Sequence, residues 1–156
     1  MLLEIITDDK LDIESRSITK SFISSVGRGQ IKVSRLYLIE AENDISYFEK
    51  IAREILSDPV VEKYDIHLDL KEFFKGLDYS FFIDVWLKKS VTDVVAKSVS
   101  QAIADFGLSK PLNVRTGKRF YFRNCELSKA KKFVLEEFAN EIINTLEVIN
   151  GENVKR

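Results

Sequence analysis

Cysteine is almost missing from this chain: Cys125 stands alone among 156 residues. One thiol cannot close an internal disulfide, so the fold has to rest on packing, and the composition fits a reducing compartment. Histidine is equally scarce. With His67 as the only one, no grouping of Cys, His and carboxylates has the spacing of a zinc site. No apolar run approaches the ~20 residues that a membrane span needs. The first residues, Met1 to Ile6, lack a basic flank and run straight into Asp8 and Asp9, so a secretory signal is not expected. Charge of one sign is lacking too. A formal net charge of -1 provides no chain-wide drive toward nucleic acid or membrane. The expectation is a cytoplasmic protein.

What is present is a globular balance of 45% hydrophobic and 31% charged residues, enough to bury a core rather than stay disordered. The length suits one ordinary domain or two small ones. Internal similarity decides in favour of a doubled unit. Asp12-Ile13-Glu14-Ser15-Arg16-Ser17-Ile18 matches Asp93-Val94-Val95-Ala96-Lys97-Ser98-Val99 in its order of residue types, 81 positions later. After a short insertion, Leu36-Tyr37 is answered by Phe120-Tyr121, and Leu56-Ser57-Asp58 by Phe138-Ala139-Asn140. The copies are residues 1–69 and 80–149, with a linker at 70–79 and a polar tail at 150–156.

Each copy reads strand, helix, strand, helix, strand. Leu2 to Thr7 is a short apolar strand. Asp12 opens a helix with Ile18, Phe22 and Val26 on one face, and Gly27 and Gly29 end it. Ile31 to Ala41 is a strand. Ser46 and Glu49 have the spacing of a capping box, ahead of an apolar stripe of Phe48, Ile51, Ala52 and Ile55. Asp58-Pro59 stops that helix, and Val60 to Leu70 is the last strand. The second copy places strands at Phe81–Leu87, Leu112–Phe122 and Ile142–Val148. Its helices are one with a stripe of Val95, Val99, Ala102, Ile103 and Phe106 ending at Gly107, and one over Leu127–Asn140. Val99 and Phe106 are expected to be buried against the second copy's sheet. The fold class is α+β: two tandem β-α-β-α-β units, related to the ferredoxin-like fold, with antiparallel sheets. A unit of ~70 residues has little core to spare, so a second copy covering its open surface predicts a pseudo-twofold dimer within one chain.

The order of strand, Asp-led helix, Val-Arg-Thr-Gly-Lys-Arg strand (Val114–Arg119) and Phe138-Ala139-Asn140 ending resembles PurS, the small subunit of phosphoribosylformylglycinamidine (FGAM) synthase. The first copy matches through Asp12, Val33-Ser34-Arg35-Leu36-Tyr37 and Leu56-Ser57-Asp58-Pro59-Val60-Val61. It lacks Gly-Lys after Arg35, and the second copy has Glu141 where the family pattern has proline. The resemblance implies a non-catalytic subunit, with no catalytic, cofactor or metal residues of its own. Such a subunit bridges a synthetase (PurL-like) chain and a glutaminase (PurQ-like) chain in de novo purine biosynthesis, within an ATP-dependent amidoligase complex. The complex would use ATP, Mg and glutamine, and this chain would bind none of them. Tandem units of this kind also resemble the N-terminal region of fused synthetase chains.

The residues expected to dock partners are Arg115, Gly117, Lys118, Arg119 and Tyr121 of the second copy and Arg35 and Tyr37 of the first. Charge supports the choice. Residues 1–78 carry 11 Lys and Arg against 16 Asp and Glu, whereas residues 79–156 carry 13 against 9. A basic strand docks an acidic partner or is a solvated face, since lysines also protect sheet edges. Gly117 inside a β pattern reads as a bulge or turn, or a close backbone approach, and Arg-Thr-Gly-Lys is a poor phosphate loop. His67 alternates away from Ile66 and Leu68, toward solvent or a polar interface, and reads as structural. Cys125 reads as a half-buried apolar residue. Phe73, Phe74, Tyr79, Phe81, Phe82 and Trp86 surround the linker and read as packing between the copies rather than a base-stacking platform. Self-association is open. The competing class is an ACT-like module that binds a small molecule. The strand-to-helix turns at Thr7–Lys10 and Lys88–Val91 lack the glycine it needs. An acylphosphatase-like enzyme would need an Arg in the first of these turns, and none is there.

Overall fold

In a computed structural model the chain is described over residues 1–68 and 78–150. The first half contains β1 (Leu2–Thr7), α1 (Ile13–Val26), β2 (Gln30–Glu40), α2 (Ile45–Ile51) and β3 (Glu62–His67). The second contains β4 (Phe81–Leu87), α3 (Val94–Asp105), β5 (Asn113–Arg123), α4 (Leu127–Glu137) and β6 (Asn144–Asn150). The aligned aspartates do the same work in both halves. Asp12 accepts the Ser15 N–H at 2.9 Å and caps α1, and Asp93 accepts the Ala96 N–H at 2.8 Å and caps α3. Gly27, at φ 93°, turns the chain out of α1 in the left-handed conformation that an L side chain resists.

The expected boundaries shift where polar side chains compete for helix ends. Asp44, not Ser46, caps α2, and the Ser46 hydroxyl donates to that same carboxylate at 2.6 Å. The helix then loosens into a π-helical turn, Ala52–Leu56. Val60 and Val61 belong to a turn before β3 rather than to a strand beginning at Val60. The far end of that expected strand, at residues 69 and 70, lies outside the described residues, as do Phe73 and Phe74. In the second half α4 ends at Glu137, short of Asn140, and the last strand is Asn144–Asn150.

All six strands form one sheet in the order β3-β1-β2-β5-β4-β6, every neighbouring pair antiparallel. Outward from the central β2–β5 seam, the strand order is the same in both halves. The architecture is α+β, compatible with ferredoxin-like β-α-β units.

Two cores lie on the helix-bearing face, and each draws on both halves. One packs Leu3, Ile5, Tyr37 and Ile39 of β1 and β2 under Phe48 and Ile51 of α2 and Ala96, Val99 and Ile103 of α3. The other packs Ile83, Phe120 and Phe122 under Ile18 and Phe22 of α1 and Phe133 and Val134 of α4. The rings of Phe22, from the first half, meet those of Phe122 and Phe133 edge-on at 5.7 and 5.0 Å. The first helix of each half therefore packs over its own half's long strand and into a core that it shares with the other half. Val99 is buried as expected, in a core that takes Val114 of the second half's sheet together with Leu3, Ile5 and Ile39 of the first; the expectation for Phe106 is corrected, since it is 47% exposed. The inward stripe of α3 is Ala96, Val99 and Ile103, at i, i+3 and i+7, which leaves Val95 outside. Burial of a side chain such as Phe22 or Ile103 contributes about 2 kcal/mol, so the shared cores bind the halves to each other. Among the described residues no helix is long and apolar enough to cross a membrane.

Candidate docking site at the central seam

β2 and β5 are eleven residues long and pair throughout, and the middle pair is Arg35 opposite Lys118. Alternation along both strands turns these two cations toward the helix-bearing face, between the two cores. Like charges directly opposite each other repel, and each is answered by a carboxylate. Arg35 pairs with Glu62 of β3 at 2.6 Å, and Lys118 with Glu14 of α1 at 2.7 Å. Lys118 and Glu14 are about half exposed, so that bridge is screened and weak. Around the pair opens a groove of about 650 Å³ whose walls include Tyr37, Val85, Val95, Phe120, Phe138 and Ile143.

Of the expected docking residues, Arg35, Tyr37, Gly117 and Lys118 line this one groove. Gly117 sits in an unbroken ladder, opposite Leu36 on one side and Trp86 on the other, so it forms neither a bulge nor a turn. The reason for glycine is close approach: a Cβ there would stand 2.7 Å from Trp86 Cε3 and 2.8 Å from the Val85 carbonyl oxygen. Arg115 lies elsewhere. It donates to the Leu87 carbonyl at 3.1 Å and rests over the Trp86 ring.

Arg119 and Tyr121 are fully enclosed, so their side chains do not reach a docking surface. They belong to a polar cluster on the opposite face of the sheet. Arg119 grips Asp84 through two parallel hydrogen bonds of 2.7 and 2.8 Å, lies over the Phe82 ring, and reaches Glu4 at 3.2 Å. Glu4 also accepts from the hydroxyls of Ser34 and, at 2.6 Å, Tyr121, and from His67 Nε2 at 2.6 Å. Burial pushes the Glu4 carboxyl up, but His67, Arg119, Ser34 and Tyr121 together hold it below the ordinary carboxylate range. His67 thus faces a polar interface, enclosed rather than solvated. Glu4, Ser34 and His67 come from the first half, and Asp84, Arg119 and Tyr121 from the second. Sequence reasoning passed over Glu4, Ser34 and Asp84. The available signal was one lone carboxylate in the middle of an apolar strand, occurring in both halves.

The remaining candidates are structural. Cys125 is half-buried, and burial pushes its thiol up, away from reactivity. Phe81, Phe82 and Trp86 are buried in β4, and Tyr79 lies against Tyr121 with centroids 5.3 Å apart.

The family model described as PurS, phosphoribosylformylglycinamidine (FGAM) synthase, matches residues 80–150. The second half is a PurS-like domain. The match makes residues 80–150 similar to the PurS component of FGAM synthase, and the α+β fold is compatible with that likeness. No curated protein matches the chain. The PurS-like domain includes most of the groove: Val85, Val95, Gly117, Lys118, Phe120 and Phe138 all lie within residues 80–150.

Proposed function

We propose that this chain is a non-catalytic assembly subunit of FGAM synthase: a fused pair of PurS-like units that holds a synthetase chain and a glutaminase chain in one complex. The observation that carries the reading is the PurS match over residues 80–150. Two features of the fold support its extension to the first half. Strand order outward from the seam is the same on both sides, and the seam is antiparallel, as a twofold axis through it would require. Both cores draw on both halves, as the interface of a dimer made permanent by a covalent link would. Linkage also raises the effective concentration of one unit for the other to roughly millimolar. ATP, Mg and glutamine would be handled by the partner chains.

The test is reconstitution. Synthetase and glutaminase subunits should turn over glutamine efficiently only when this chain is added. Glutamine-dependent turnover that is complete without the chain would remove the bridging role. A loss that is equal with glutamine and with free ammonia would point to a direct effect on the synthetase site instead.

A further inference from the structure

The doubled fold repeats a concave site as well as its helices and strands. In the first half, the β1–α1 turn, the first turns of α1 and the start of β2 enclose a pocket of about 840 Å³ lined by Asp9, Asp12, Arg16, Lys32 and Arg123, among others. In the second half, the β4–α3 turn, the first turns of α3 and the start of β5 enclose one of about 620 Å³. Hydrogen bonds show that the two correspond. Lys32 Nζ donates to the carbonyl of Thr7, the last residue of β1, at 2.7 Å. Arg115 Nη2 donates to the carbonyl of Leu87, the last residue of β4, at 3.1 Å. The capping aspartate of each helix is fastened to the neighbouring strand edge, Asp12 through the Ser15 hydroxyl to the Val33 N–H and Asp93 directly to the Thr116 N–H.

The charges in the two pockets are answered differently. Lys32 is held between Asp9 and Asp12, each at 2.7 Å, and Arg123 pairs with Asp78, while Arg16, Lys20 and Arg28 at the same wall form no ion pair among the described residues. In the second pocket the cations are Lys88, Lys89, Lys97, Lys110 and Arg115, against only Asp93 and Glu40. Both oxygens of Asp93 already accept from Ala96, Thr116 N–H and the Thr116 hydroxyl. None of the five cations forms an ion pair among the described residues. Asp9 lies three residues before its capping aspartate; the residue three before Asp93 is Ser90. The carboxylate that holds Lys32 beside Asp12 is thus replaced by a hydroxyl in the second pocket, and Asp9 marks where an anion would sit.

We propose that the pocket between the β4–α3 turn and the start of β5 binds a small phosphorylated ligand, a phosphate monoester or nucleotide. Lys97 and Lys110 would pair with its phosphate, and Ser90, Thr92 and Asn113 supply neutral donors at the same wall. Its size suits a ligand of that class. Convergence of cations from three segments on a concavity favours a compact polyanion over a flat acidic protein surface.

The experiment is calorimetric titration of the full chain with inorganic phosphate, AMP and adenosine, with a poly-glutamate peptide as the protein-like anion. Phosphate and AMP should bind saturably, AMP more tightly, and adenosine should not. Lys97→Ala with Lys110→Ala should raise Kd by about tenfold or more. Ser90→Asp, which installs the first pocket's internal carboxylate, should do the same while leaving the melting temperature unchanged. Arg16→Ala with Lys20→Ala, in the first half's pocket where Asp9 already occupies the anion's place, should leave Kd unchanged. No saturable binding, binding of the peptide alone, or binding indifferent to both Ser90→Asp and the lysine pair would each overturn the proposal. None of these outcomes bears on glutamine-dependent reconstitution, so the two readings fail separately.

Discussion

Glu4 and Arg119 are 115 positions apart in sequence and 3.2 Å apart in the fold. That contact crosses from the first half to the second on the face opposite the two shared cores, so both faces of the sheet hold the halves together. A buried pair of this kind is poor evidence of net stability, because removing the ions from water costs nearly what their attraction returns. Removal of one partner is another matter.

Arg119→Met should therefore cost about 3–5 kcal/mol, because it leaves two enclosed carboxylates facing each other. Adding Glu4→Gln and Asp84→Asn should recover a large part of the loss by removing the unpaired charge. Urea unfolding of the single and triple variants checks this. A triple variant no more stable than the single would show that the cluster acts by shape rather than charge.

The cluster also sets the acid limb of stability. Glu4 is held below its ordinary value, and so is Asp12, where burial is outweighed by Lys32 and Ser15. A carboxyl with a depressed folded value stabilises fully above its unfolded value of about 4.3 and loses that contribution as pH falls through the folded one. Asp84 has the opposite sign: burial pushes it up, so its protonation favours the folded state. Unfolding free energy should decline below about pH 4.3. Glu4→Gln should lower the plateau and make the decline shallower; an unchanged slope would reassign the acid transition to other carboxylates.

Because Val99 of α3 is buried in a core shared by Leu3, Ile5 and Ile39 of the first half and Val114 of the second, Val99→Asp should place an uncompensated charge there and cost several kcal/mol. The loss should appear in one transition for the whole chain, monitored through Trp86 in the second half and through hydrogen exchange of β1 in the first. Two separate transitions would show that the halves unfold independently.

Much of this was legible in the chain itself, for identifiable reasons. Asp12 and Asp93 announced both helix starts because a cap is a local interaction, and the apolar order around them disclosed the repeat. The face of α3 was misjudged by one position because Val94 and Val95 are both apolar, so hydrophobicity alone does not set the phase. That each core draws on both halves is a tertiary outcome with no local signature. Arg119 looked like a surface cation since strands carry buried charges only when partners exist, and its partners Asp84 and Glu4 lie 35 and 115 residues away. Between a bulge or turn and a close backbone approach the sequence could not choose at Gly117, because the side chain that excludes a Cβ, Trp86, belongs to a different strand.

Gly117→Ala should destabilise by about 1–3 kcal/mol through forced displacement of that neighbour. Its backbone is ordinary, so the penalty is steric. Combining it with Trp86→Leu should recover part of the loss but not all, since the Val85 carbonyl is as close as the ring. Thermal unfolding of the four members of the cycle measures the coupling; strict additivity would mean that the ring is not the obstacle.

Lys118 is the cation through which the proposed assembly role is best tested. It is half-exposed in the seam groove, opposite Arg35 and bonded only to the exposed Glu14. Lys118→Glu should leave folding within about 0.5 kcal/mol of the parent, the ordinary range for an exposed substitution. A joint reversal with Arg119 would confuse unfolding with lost docking, so Arg119 has to stay. Lys118→Glu should weaken assembly with the synthetase and glutaminase chains, and added salt should imitate it, since exposed charges are screened beyond ~10 Å at 0.1 M. Glutamine-dependent turnover should then fall further than ammonia-dependent turnover, because a displaced glutaminase no longer delivers its ammonia while the synthetase site is untouched. Assembly that is insensitive both to Lys118→Glu and to salt would move the docking surface away from this groove.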